Sequence, residues 1–296
     1  MKDKSKSLIY SLLAMLAWST VATAFKLTLQ GLNTTQLLFY SSVTSLIVLF
    51  VVVRLNSPKE LKKIFSKEHL KRNMLLGLIN PFIYYLILFK AYSVLPAQEA
   101  QPINLIWPLL ISIFSAIFLK QKISIRTIIG LLISFLGIII ISTRGNILSL
   151  QFHNLYGVLL AASSSVIWAG FWILNLLDKR GEEIKLFGAF FFGTVYTSLY
   201  ILLFDSFSSV EFKYILGAVY IGIFEMGITF FLWLKALSLS DNKAKTSTIV
   251  YLFPVISLFF IAIVLKEKLF ISSIIGLVLI VGGILFQQVK EKTKEV

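Results

Sequence analysis

The chain has no cysteine, only two histidines in 296 residues, and 14 acidic side chains against 28 basic ones. Without cysteine there is no disulfide, no thiol nucleophile and no thiolate-held metal. His69 and His153 stand apart, and no HExxH or His/carboxylate cluster exists, so neither a resident metal nor metal-dependent hydrolysis is expected. A glycine-rich Lys-Ser/Thr phosphate loop is missing, which argues against direct use of ATP, and a Gly-x-Ser-x-Gly motif is missing too. An enzymatic reading, or one with a cofactor, has no motif to rest on. Charge of either sign is scarce as well, at 14% of residues, whereas a soluble globule carries roughly 25%.

What the chain has instead is apolar length. Hydrophobic residues make up 57% of it, gathered in runs over 8–26, 35–54, 73–92, 98–119, 125–143, 155–177, 185–204, 212–236, 244–265 and 270–288. Crossing ~30 Å of hydrocarbon takes about 20 mainly apolar residues as a helix. Lipid cannot satisfy open backbone groups, and the runs are too long and evenly apolar for barrel strands. The reading is an all-α integral membrane protein of ten transmembrane helices in a multi-pass arrangement. The basic stretch 55–72 is expected to form an interfacial helix. Lys2, Lys4 and Lys6 before an apolar run, with Ala22-Thr23-Ala24 behind it, outline a secretory leader. That reading is set aside because the first run has a counterpart later in the chain.

The net charge of +14 would suggest nucleic acid on a soluble chain. Here Lys and Arg fall between apolar runs and report topology. With the N-terminus inside, only Lys26, Lys90, Arg144, Lys213, Lys266 and Lys268 of the 28 basic residues lie on the outer side. Both termini are expected to face the cytoplasm across the cell membrane. The partners implied are the lipid bilayer and a small-molecule substrate, and no nucleic acid.

The chain also repeats itself. Pro108, Leu119, Lys120, Lys122, Gly130 and Gly137 recur 146 positions later as Pro254, Leu265, Lys266, Lys268, Gly276 and Gly283. Gly77, Lys90, Ala91 and Ser93 recur 145 positions later, and Trp18 recurs as Trp168. The division falls between residues 1–146 and 147–296. Each unit has five spans, an odd number, so the second enters the membrane inverted, as in many secondary transporters. Gly130/Gly137 and Gly276/Gly283 are each two turns apart on one helix face. They are expected to pack the fifth span on the tenth, or one copy of the chain on another in a homodimer.

Polar residues inside spans mark a pathway or interhelical bonding. Gln98, Gln101, Asn104, Pro108, Ser112 and Ser115 fall on one face of the fourth span, Ser165, Trp168, Trp172 and Asn175 on one face of the sixth, and Ser247, Tyr251 and Pro254 on a similar stripe in the ninth. Trp18, Tyr84, Tyr85, Trp107, Trp168, Trp172 and Tyr251 could form a cage for a flat or cationic solute, or serve as core. Pro108 and Pro254, at equivalent positions, are hinge candidates. Glu225 lies mid-span with Asn80 as its repeat counterpart; it reads as a coupling group, a partner for a substrate amine, or a structural hydrogen bond. Glu99 is placed at the water-accessible outer mouth.

Ala100-Gln101-Pro102-Ile103-Asn104-Leu105-Ile106-Trp107-Pro108-Leu109-Leu110 resembles the signature of the EamA family of the drug/metabolite transporter superfamily. Leu265-Lys266-Glu267-Lys268 resembles that family's span-ending Glu, which Gln121 replaces in the first copy. The Asn and Trp-Pro pattern is most similar to the aromatic amino-acid exporter branch, with Leu105 where that branch has Tyr. The resemblance implies a central cavity between spans 1, 3, 4, 6, 8 and 9, with Asn104, Trp107 and Pro108 as matched positions. It also implies ATP-independent export of small metabolites, amino acids first. Two alternatives remain: a proton-coupled multidrug exporter of aromatic cations working through Glu225, and a membrane scaffold or sensor that moves no solute.

Overall fold

The computed structural model describes residues 2–118, 120, 124–149, 153–207, 209–239, 249 and 252–288, and every regular element among them is helical. In order these are α1 (Lys2–Thr28), α2 (Thr34–Asn56), α3 (Lys67–Gly77), α4 (Tyr84–Val94), α5 (Ala97–Asn104), α6 (Trp107–Phe118) and α7 (Ile125–Ser142). There follow α8 (Leu155–Leu176), α9 (Glu182–Phe204), α10 (Phe212–Phe224), α11 (Ile228–Ser238), α12 (Phe253–Val264) and α13 (Ile271–Gln288). Eight stretches are long and apolar enough to cross a membrane; α12 and most of α13 are shorter apolar helices that complete ten spans. Much of the apolar surface is turned outward, with Leu132, Phe135, Leu202 and Phe259 all more than half exposed, as a lipid-facing exterior requires.

Among the described residues, three spans are broken. The third runs α3, a π-helical turn over Leu78–Ile83 and α4, with Asn80 in an extended conformation (φ −146°, ψ 124°). Pro81, which follows a cis peptide bond, has no N–H to continue the helical ladder. The fourth divides at Leu105–Ile106 into α5 and α6, just ahead of Pro108, and the eighth at Glu225–Gly227 into α10 and α11. Asn80 and Glu225 lie 145 positions apart, so two of the breaks fall at repeat-equivalent places. Three unbroken helices start on side-chain caps: Asn33 and Gln36 form a capping box at α2, while Ser124 and Asn154 cap α7 and α8.

Side-chain bonds between helix ends define the two faces of the bundle. On the face holding the start of α1, Ser7 Oγ donates to Ala236 O at 2.8 Å and Ser57 Oγ to Glu183 Oε1 at 2.7 Å. Arg180 forks onto Asp178, with Nη2–Oδ2 2.6 Å, and donates to Asn73 Oδ1 at 2.8 Å. Burial opposes ionisation of Asp178, but the Arg180 guanidinium outweighs it and holds the carboxyl below its usual range. On the opposite face Asn33 and Thr35 both donate to Asp205 Oδ2.

The helices α7 and α13 pack closely against each other. A Cβ on Gly130 would stand 2.5 Å from Gly283 O, and one on Gly137 would stand 2.7 Å from Gly276 O. The pairs run in opposite order, so the helices are antiparallel, and exchanging each glycine for its repeat counterpart maps one contact onto the other. Ser134 Oγ donates to Ile280 O at 3.2 Å inside this seam. These glycines are therefore consumed within the chain and do not serve contact with a second copy. Lys120 and Lys266, also 146 apart, share a left-handed backbone at φ 55°.

One expectation changes here, and one falls on residues the structure does not describe. The stretch 55–72 is no continuous interfacial α-helix: Pro58–Phe65 forms 3₁₀ turns with Ile64 fully buried, and α3 begins at Lys67. Ser247 and Tyr251 lie outside the described residues.

Candidate functional site

The breaks in the fourth and eighth spans open onto a central cavity of about 470 Å³. From α1 come Trp18 and Phe25, from α4 Tyr84 and Tyr92, and from the α5–α6 break Gln101, Asn104, Trp107 and Pro108. Trp168 and Trp172 enter from α8, Glu225 from the α10–α11 break, Phe230 and Trp233 from α11, and Phe253 from α12. Ser112 and Gln287 are hydrogen-bonded to each other at the end nearer the termini.

The aromatic side chains form one connected wall. Tyr84 stacks on Trp168 at 4.6 Å between centroids, and Trp168 meets Trp172 edge-on at 5.9 Å. Phe230 lies 5.7 Å from Trp168 and 6.0 Å from Trp18, so it bridges the two repeat-related tryptophans. Trp233 meets Trp18 at 6.0 Å. At these separations each ring pair is worth about 0.5–1.5 kcal/mol beyond its burial, which keeps the wall in place around open space. Tyr85 is fully buried behind Tyr84 and donates its hydroxyl to Glu225 Oε1 at 3.1 Å.

Asn104 Nδ2 donates to Ser164 Oγ at 2.8 Å, tying the fourth span to the sixth. Gln101 Oε1 and Trp172 Nε1 are buried without a protein partner, and buried polar atoms of that kind call for water or a ligand. One end of the cavity is sealed. Ala97 N donates to Glu267 Oε1 at 3.2 Å, and Gln98 Nε2 donates to Lys268 O at 3.0 Å. Phe270 N donates back to Gln98 Oε1 at 2.9 Å. Lys26 Nζ donates to the carbonyls of Tyr92 at 2.9 Å and Leu95 at 3.0 Å. Glu267 thus caps the first turn of α5, where unpaired N–H groups favour an anion.

The sequence-derived residues separate into groups. Trp18, Tyr84, Gln101, Asn104, Trp107, Pro108, Trp168, Trp172 and Glu225 line the cavity, and Tyr85 reaches it through Glu225. Asn80 does not line it: it is 1% exposed, with both amide atoms unpartnered, in the π-helical turn that packs on α9. Pro254 sits in the first turn of α12, buried; its neighbour Phe253 faces the cavity. Gln98, Ser165 and Asn175 spend their polar groups on packing, on the Phe270 amide and the carbonyls of Ala162 and Phe171. Glu99 is not at a wet mouth. It is fully buried and paired with Arg144 at 3.0 Å, and Arg144 lies over the Phe270 ring at 4.5 Å.

A model of the EamA-like transporter family matches residues 5–143 and again residues 155–287. The chain belongs to the EamA-like transporter family. Its relatives include an uncharacterized transporter YvbV of Bacillus subtilis (strain 168), 28% identical over 87% of this chain and 84% of that protein. An aromatic amino acid exporter YddG of Ancylobacter novellus is 26% identical over 70% of this chain and 72% of its own length. A solved crystal structure superposes with a TM-score of 0.68 over 95% of this chain and 96% of that one; at 21% identity it supports the fold alone. In this EamA-like chain, Phe25, Tyr92, Phe230, Trp233, Phe253, Ser112 and Gln287 complete the wall. Among these, only Ser112 lay on a stripe read from the sequence. The aromatic rings at 230, 233 and 253 fall among apolar neighbours, where spacing does not separate a cavity face from a lipid face.

Proposed function

We propose that this transporter exports small organic metabolites, amino acids among them, across the cytoplasmic membrane by alternating access. The observation that carries the reading is the cavity itself: polar and aromatic, enclosed by broken spans from both parts of the chain, and sealed at one end by bonds that tie α5 to the 265–270 segment. Broken helices around a central site are a recurring device of secondary transporters. Residues 1–146 and 147–296 act as the two inverted units, in keeping with the double family match and the exchanged glycine contacts of α7 and α13. Lys and Arg concentrate on the face holding the start of α1, which supports cytoplasmic termini. Pro108 and Pro254 begin the half-helices that would hinge.

Counterflow into proteoliposomes loaded with single amino acids tests this. Accumulation of label is expected, with Trp168→Ala and Asn104→Ala lowering it tenfold or more while the proteins melt within a few degrees of the parent. A scaffold or sensor would show no flux with any solute, and these substitutions would then alter folding alone.

A further inference from the structure

Glu225 is the one charged side chain among the described residues that line the cavity. Its carboxylate stands at a break in a span, where α10 ends, and Tyr85 is the hydrogen-bond donor found for it there. Neither Lys26, which donates to two backbone carbonyls at the sealed end, nor Arg144, which pairs with Glu99, lines the cavity. The repeat counterpart, Asn80, is neutral and walled off from the cavity, so the repeat supplies no opposite charge. From Glu225 a connected series of aromatic rings leads through Tyr85, Tyr84 and Trp168 to Phe230 and Trp18. Ring faces carry negative quadrupole potential and attract ammonium groups. Gln101 Oε1 adds an unpartnered acceptor.

We infer that the cavity prefers organic cations: amines with a flat or apolar body bind it more tightly than their carboxylate-bearing counterparts, with Glu225 as the counter-charge. The inference rests on the transport reading above and narrows it. An anion would meet Glu225, Gln101 Oε1 and ring faces with no full positive charge to offset them, and in a low-dielectric site that repulsion is strong. A zwitterionic amino acid satisfies Glu225 through its ammonium but leaves its carboxylate without a charged partner, so it binds more weakly than the corresponding amine.

Three indoles of matched size separate these cases: tryptamine, tryptophan and indole-3-propionate, each titrated into the purified full chain by thermal shift and competed in counterflow. Tryptamine is expected to bind at least tenfold more tightly than tryptophan, with no binding of indole-3-propionate. Glu225→Gln should remove the preference for tryptamine, and Tyr85→Phe, which keeps the charge, should retain it. Equal binding of the acid and the amine by the unaltered chain overturns the inference without any variant, so a Glu225→Gln protein that does not fold leaves it testable. A folded Glu225→Gln protein that still prefers tryptamine also overturns it. Absence of binding by all three indoles overturns it too; counterflow of another solute in that case leaves the transport reading standing, whereas no flux of any solute removes both.

Discussion

Replacing Gly130 with Ala probes the seam that joins the fifth span to the tenth. The added methyl group would sit 2.5 Å from Gly283 O, a backbone atom that cannot rotate away, so the two helices must separate by about an ångström or bend. Overpacking of this kind costs about 1–3 kcal/mol, while Ala in place of Gly favours a helix by about 0.5–1 kcal/mol. The net expectation is a loss of about 1–2 kcal/mol. Gly283→Ala meets Gly130 O at the same 2.5 Å, and Gly137→Ala and Gly276→Ala meet each other's carbonyls at 2.7 Å, so all four should behave alike. Gly282 supplies the control on the same helix: nothing lies within 4 Å of the Cβ it lacks, and Gly282→Ala should be neutral or slightly stabilising. Intrinsic-fluorescence melts in detergent, read as shifts relative to the parent, compare the five variants. Because Gly130 and Gly283 share one contact, the double substitution should cost less than the two singles added together. If the four seam variants melt within the scatter of Gly282→Ala, the close approach is not a stabilising contact and the pairing of α7 with α13 as described is wrong.

Two further outcomes follow from the sealed end of the cavity. Arg144→Met leaves Glu99 buried without its partner; breaking such a pair costs about 3–5 kcal/mol, here toward the lower value because Arg144 is 32% exposed. Adding Glu99→Gln should recover most of the loss in the same melting assay, and no recovery would mean the pair is incidental. Glu267→Gln weakens the cap on α5, so a cysteine placed at Tyr92 in this naturally cysteine-free chain should react several-fold faster with a membrane-impermeant thiol reagent added from the opposite side to the termini. An unchanged rate would show that this interlock does not hold that end shut.

Much of this architecture was legible in the residues. The ten spans follow from apolar runs, because hydrocarbon forces each run into a helix of fixed length whatever its neighbours do. The glycine spacing on the fifth and tenth spans and the polar stripe of the fourth follow from helical period, which is local. Trp18 and Trp168 were recognisable as unusual because tryptophan ordinarily sits at the interfaces.

Other features needed the chain to be folded. A stripe assigns a face and not its neighbour, so Gln98 and Gln101, one helical turn apart on the same stripe, could not be told apart: the first bonds the Phe270 amide 172 residues away, and the second faces the cavity. Glu99 looked wet from its place near a span end, yet Arg144, in the turn after α7 and 45 residues further on, closes over it. Asn80 and Glu225 are equivalent in sequence, but packing of the third span on α9 turns the first away from the cavity while the break after α10 admits the second. Which of two equivalent polar residues faces the cavity is decided by what packs behind it. That is a property of distant segments, and it converts one acid among ten spans into the charge the cavity presents.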